Sequence, residues 1–159
     1  MNYRFYLEGE GEASVSTSST KDMIQEHYNN LKSKHGFTCG LVEENLDEGY
    51  MMLFDFEKND IVYDYKRIEE NFQKGTEVGV YKGYDLSKLI LFCLVHELGH
   101  YYDYQENKEA FNFTNKQEYI QMERNGIKKA NRIIPQDMVR DFHTFNQHII
   151  QSYMRDLEE

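Results

Sequence analysis

Asp85-Leu86-Ser87-Lys88-Leu89-Ile90-Leu91-Phe92-Cys93-Leu94-Val95-His96-Glu97-Leu98-Gly99-His100-Tyr101-Tyr102-Asp103-Tyr104 runs seven consecutive apolar side chains, Leu89 to Val95, into a pair of histidines four positions apart. Asp85 is a good N-cap, so the pattern predicts a helix from there to about Tyr104. A helix apolar on every face has no side to give to water and belongs in the middle of a molecule. The rest of the chain is then expected to pack around it.

The end of that helix fits the pattern His-Glu-x-x-His at His96, Glu97 and His100. Residues four apart on a helix differ by about 40° in direction and about 6 Å in height. Both imidazoles therefore point the same way and can share one metal ion. Zinc takes neutral imidazole nitrogen readily and works with three protein ligands and a water. Glu97 lies about 100° further round, beside the metal rather than on it. From there its carboxylate can take a proton from a metal-activated water and return it to a departing amine. With six histidines and 18 glutamates, a chance match to the pattern is expected about 0.025 times in such a chain. Two polar rings ending an apolar run must also find partners, and a shared metal satisfies both.

Two histidines leave the site one ligand short. Glu106 follows with no glycine at 103 to turn the chain back, and is discounted. Glu123 is the better candidate: its own helix face carries Tyr119, Ile120, Ile127, Ala130 and Ile134, where an unpaired carboxylate is costly. Gly126, one turn on, leaves room for a close neighbouring helix. Glu118 shares its face with Asn115, Gln121 and Asn125 and reads as an exposed charge. His143 and His148 on the last helix are the remaining alternatives, and Cys93 is a weaker one.

Outward from this core, Tyr3 to Leu7 alternates as a strand and Glu8 to Thr20 reads as a loop. Ser19 or Thr20 caps a helix carrying Met23, Ile24, His27, Tyr28 and Leu31, which ends at Gly36. Phe37 to Val42 is a short strand. Tyr50 to Phe56 and Ile61 to Tyr65 form a hairpin across a four-residue turn. A short helix over Arg67 to Gln73 and a glycine-bearing loop over Lys74 to Tyr84 lead to Asp85. Helices follow over about Asn115 to Ile134, stopped by Pro135, and about Gln136 to Leu157. The expected class is α+β, in a single domain over 1–159. Eighteen basic against 28 acidic residues give a net charge of −10. That charge is repelled by phosphate backbones and anionic lipid, so neither nucleic acid nor membrane is an expected partner. There is no apolar run near the roughly 20 residues of a membrane span and no apolar leader at Met1. Two cysteines build no disulfide framework, and a cytoplasmic location with reduced thiols is expected.

A hairpin, a buried helix ending in His96-Glu97-Leu98-Gly99-His100-Tyr101-Tyr102-Asp103, and a second helix with Glu123-x-x-Gly126-x-x-x-Ala130-Asn131 resemble the gluzincin metallopeptidases. Within these, the resemblance is to the small single-domain kind, the minigluzincins and ImmA/IrrE-type peptidases, over roughly residues 50–134. The family more often has alanine where Gly126 stands and acidic residues where Lys128 or Lys129 stand. The resemblance implies a zincin-like fold: a small, partly antiparallel sheet on an active-site helix, then a glutamate helix and here a C-terminal helix. It implies a zinc-dependent endopeptidase acting on a peptide or protein, for some relatives a regulatory protein. It also implies that a sheet edge, Tyr50 to Phe56 or Ile61 to Tyr65, holds the substrate by main-chain pairing. The competing reading is a non-catalytic regulatory or protein-interaction module that keeps a structural zinc site.

Other residues carry alternatives of their own. Asp103, one turn past His100, could accept the far N–H of a ligand histidine or be a surface aspartate. Tyr101, Tyr102, Tyr104 and Tyr119 are near enough in sequence for one of them to steady an oxyanion. Cys93 reads as a small buried filler, Cys39 as a strand residue, and His27 as a core histidine with its hydrogen bonds satisfied.

Overall fold

A computed structural model describes residues 19–158. The expected strand at Tyr3 to Leu7, and all but the end of the loop after it, lie outside those residues. The first helix, α1 (Thr20–His35), starts on the Ser19 side chain, which accepts from the Asp22 N–H. It stops at Gly36, whose φ of +67° is the left-handed conformation that glycine adopts without strain. Ile24, Tyr28 and Leu31 form its buried face.

Three short strands follow: β1 (Gly40–Glu43), β2 (Met52–Asp55) and β3 (Asp60–Tyr63). β2 and β3 form the expected antiparallel hairpin, with Met52 opposite Tyr63 and Asp55 opposite Asp60. Its four-residue turn, 56–59, falls one position earlier than the expected one. The reason is local: the Asp55 carboxylate accepts from the N–H groups of Glu57 and Lys58, and Asn59 takes a left-handed φ of +57°. β1 pairs with β3 in parallel, from Gly40–Asp60 to Glu43–Tyr63, so the sheet order is β1-β3-β2. β3 is therefore the central strand, and among the described residues β2 is paired on one side only.

Asp64 caps α2 (Tyr65–Glu77), accepting from the N–H groups of Lys66 and Arg67. This helix is longer than expected and absorbs the start of the glycine-bearing segment, of which 78–85 remain as connection. Asp85 then caps α3 (Leu86–Glu106), as anticipated. Every residue from Leu89 to Tyr101 is buried, and Phe92 packs its ring against Tyr84, Phe142 and Phe145. After a 3₁₀ turn at Lys108–Phe111 comes α4 (Lys116–Ala130), with residues 131–134 in turns before Pro135. The last element begins with a 3₁₀ turn at Gln136–Met138 and continues as α5 (Val139–Glu158). Phe142 and Phe145 on α5 are buried against α3.

Among the described residues the architecture is thus mixed α and β: five α-helices and one three-stranded sheet. No helix among them is long and apolar enough to cross a membrane. α3 and α4 share the most extensive packing of any two elements.

Candidate metal centre

The α3–α4 crossing is close because both helices present glycine to it. A Cβ on Gly126 would lie 2.5 Å from Nδ1 and 2.7 Å from Cε1 of the His100 ring. A Cβ on Gly99 would fall within the Gly126 carbonyl oxygen and 2.9 Å from Cβ of Ala130. Bare backbone on α4 therefore bears directly on a histidine of α3. One turn N-terminal of Gly126, Glu123 reaches the same place.

His96, His100 and Glu123 meet there, all three buried. Glu123 Oε2 lies 3.1 Å from His96 Nε2 and 3.3 Å from His100 Nε2, and the two Nε2 atoms are 3.3 Å apart. Three donor atoms that can each coordinate a cation thus converge within 4.8 Å, in apolar surroundings. Two imidazole nitrogens and a carboxylate oxygen suit zinc by their chemistry. The group can hold a metal ion. The sequence pattern had singled out these same three residues.

The alternatives go elsewhere. Glu118 is exposed and locks the start of α4, its Oε2 accepting from the Thr114 N–H at 2.8 Å while its own N–H donates to Asn115. His143 and His148 are exposed on α5. Glu106 pairs with Lys129 on the surface. Cys93 is buried near the cluster but is not one of the converging donors, and burial beside the Glu97 charge raises its pKa, keeping it a thiol. His27 is half-buried and hydrogen-bonds Ser87 Oγ at 2.8 Å. Asp103 is fully buried rather than a surface residue, and its Oδ1 accepts from Asn107. Among the described residues its Oδ2 and His100 Nδ1 each lack a hydrogen-bond partner, so the link to a ligand histidine is not made there.

Above the three residues opens a cleft of about 290 Å³. One wall is the chain from Gly49 to Phe54, which includes β2. The other is built by Phe111, Phe113, Tyr119 and Met122 together with Phe145, Ile149 and Tyr153 of α5. Glu97 lines the same cleft, with the backbone of Phe54 as its hydrogen-bond partner, so β2 turns main-chain polar groups toward this carboxylate. Of the four tyrosines considered from sequence, only Tyr119 lines the cleft; the Tyr101 hydroxyl is engaged by Thr38 instead. Tyr119 donates to the hydroxyl of Tyr153 at 3.2 Å. Tyr153, on α5, also lines the cleft, a position that no local sequence pattern gives.

The charged forms of the cluster depend on one another. Burial disfavours the His96 imidazolium, but the Glu123 carboxylate, by hydrogen bond and by charge, outweighs it and lifts the pKa from 6.5 to about 9. Burial likewise disfavours a charged Glu123, yet the two imidazoles hold it well below the ordinary carboxylate range. Burial raises Glu97, against the pull of both histidines, which is the direction a general base needs. A value raised on folding means stability fully present below pH 6.5 and lost as pH climbs through about 9. Metal-free protein, held in chelator, should therefore show a falling urea midpoint across that window. The same titration on Glu123→Gln should be nearly flat there. An equal fall in both would show that the pair does not carry it.

Comparison with protein-family models, curated proteins and solved structures finds no match to this chain. The chemistry has to be argued from the cleft itself.

Proposed function

We propose that the protein is a zinc-dependent endopeptidase of the kind its resemblance to the small gluzincins implies, with a zincin-like core formed by the sheet, α3 and α4. One observation carries the reading: three buried potential metal ligands converge on the floor of a cleft that is also lined by a further carboxylate, Glu97. Zinc in that place would act as a Lewis acid on a carbonyl oxygen and make water acidic near neutral pH. His96 and His100 through Nε2, and Glu123 through its carboxylate, would hold it.

The remaining work falls to this chain's side chains and backbone. The edge of β2 that is unpaired among the described residues aligns an extended peptide by main-chain pairing, with its bond over Glu97. Glu97 accepts a proton from the attacking water on a carboxylate oxygen and passes it to the leaving nitrogen. Tyr119 and Tyr153 stay protonated because burial raises both. Since Tyr119 donates to Tyr153, the hydrogen of Tyr153 is left to steady the oxygen that gains charge. Phe54, Phe111 and Phe145 keep bulk water from the reacting bond.

A closed structural zinc site would need four protein ligands, and among the described residues no fourth joins the three. The Glu97 carboxylate lining the same cleft favours catalysis over the interaction-module alternative. The buried free thiols of Cys39 and Cys93 agree with a reducing, cytoplasmic setting. Protein expressed with ample zinc should carry close to one zinc per chain by mass spectrometry. It should cleave members of a peptide library derived from digested proteome, stop when a chelator removes the zinc, and resume when zinc is restored. Zinc-free protein from that preparation would end the proposal.

A further inference from the structure

We infer that Asn146, on the last helix, is the positioning residue that fixes which nitrogen of His96 faces the metal. The inference rests on the metal-centre part of the proposed function and not on peptide cleavage.

Asn146 is 2% exposed, between Phe142, Phe145 and Ile149 on the apolar face of α5. An amide in such a stripe is costly unless its polar atoms are used, and here one of them is: Nδ2 has no hydrogen-bond partner among the described residues, whereas Oδ1 has one. Its Oδ1 lies 2.9 Å from Nδ1 of His96, across 50 residues of sequence. An amide oxygen only accepts, so the hydrogen between them is on Nδ1. When the ring carries a single proton, that proton stays there and the lone pair is on Nε2. Nε2 is the atom that meets Glu123 and His100 at 3.1 and 3.3 Å. The opposite tautomer would need the Asn146 amide to turn its Nδ2 to the ring, and would push a hydrogen into the space where a cation would bind.

Among the described residues His100 has no such partner: its Nδ1 is buried without a hydrogen bond, on the side of the ring that a Cβ on Gly126 would meet. Orientation by an outer hydrogen bond therefore falls on His96 alone. The partner is also neutral. Glu97 and Glu123 already bring two carboxylates to the site, and an amide orients the ring without adding a third charge. Because Phe145, Ile149 and Tyr153 of the same helix wall the cleft, α5 sets the metal ligand and the cleft in one register.

The test is zinc affinity, measured by competition with a chromophoric chelator, joined to long-range proton–nitrogen NMR of the histidine rings in zinc-loaded protein. The parent should show His96 protonated at Nδ1 and zinc-bound at Nε2. Asn146→Leu should bind zinc about 10- to 100-fold more weakly. Asn146→Asp, which keeps the acceptor, should restore parental affinity or exceed it. Undiminished affinity in Asn146→Leu, or a parental His96 bound through Nδ1, would overturn the assignment. The parental spectrum decides even if Asn146→Leu fails to fold. A parent that binds no zinc removes the metal centre and this role together, whereas a parent that binds zinc but cleaves nothing leaves the role of Asn146 standing.

Discussion

Glu97→Gln should retain one zinc per chain and lose turnover by roughly 10²- to 10⁴-fold, the range spanned by positioned proton transfer. The amide has nearly the shape of the carboxylate, so the packing around this buried residue is preserved. It cannot take a proton from water, and it removes a carboxylate that burial already disfavours in its charged form. Thermal stability should therefore hold or rise while cleavage disappears, a combination that separates catalysis from folding. His96 and His100 lie on the same helix and meet Glu123 through their Nε2 atoms, contacts that Glu97→Gln leaves in place. Zinc analysis and library cleavage on the same preparation decide it. A variant that held its zinc and cut as fast as the parent would remove Glu97 from the mechanism.

The central helix and its pair of histidines were legible because they rest on short-range rules: a cap at Asp85, an unbroken apolar run, and ligand spacing fixed by helix geometry. Glu123 was legible for a related reason, since one helix's periodicity is enough to show a carboxylate stranded on an apolar face. The misreadings have a different origin. Gly75 suggested a loop, yet α2 continues through it because the Tyr81 ring lies where a Cβ would be, and tertiary packing outweighs the weak helix propensity of glycine. The parallel pairing of β1 with β3 joins segments about 20 residues apart, and no local pattern encodes it. Asn146 and Tyr153 escaped because their roles depend on how α5 is rotated against α3. Periodicity along α5 gives its apolar stripe but not which polar neighbour of that stripe meets His96. A buried Asn flanked by Phe142 and Phe145 was the available signal.

The tightness of the α3–α4 crossing makes Gly99→Ala the most informative backbone test. In an exposed helix, alanine for glycine stabilises by about 1 kcal/mol. Here the added methyl would occupy the place of the Gly126 carbonyl oxygen, which belongs to helix backbone and cannot swing aside as a side chain can. The helices must separate, at a cost of about 1–3 kcal/mol or more for such overpacking. At roughly 2–4 °C per kcal/mol for a chain of this size, the melting temperature should fall rather than rise. The functional loss should be larger than the thermal one. Glu123 sits one turn from Gly126 on the helix that is pushed away, while His96 and His100 stay on α3, so the three donors no longer converge. A displacement of about 1 Å at a reacting site costs on the order of 10²-fold, and the expected result is at least that loss in cleavage with a parallel fall in zinc affinity. Calorimetry and chelator competition on the purified variant measure both. If Gly99→Ala melted higher than the parent and bound zinc as tightly, the two helices would not be in glycine-limited contact, and the convergence of His96, His100 and Glu123 would need another cause.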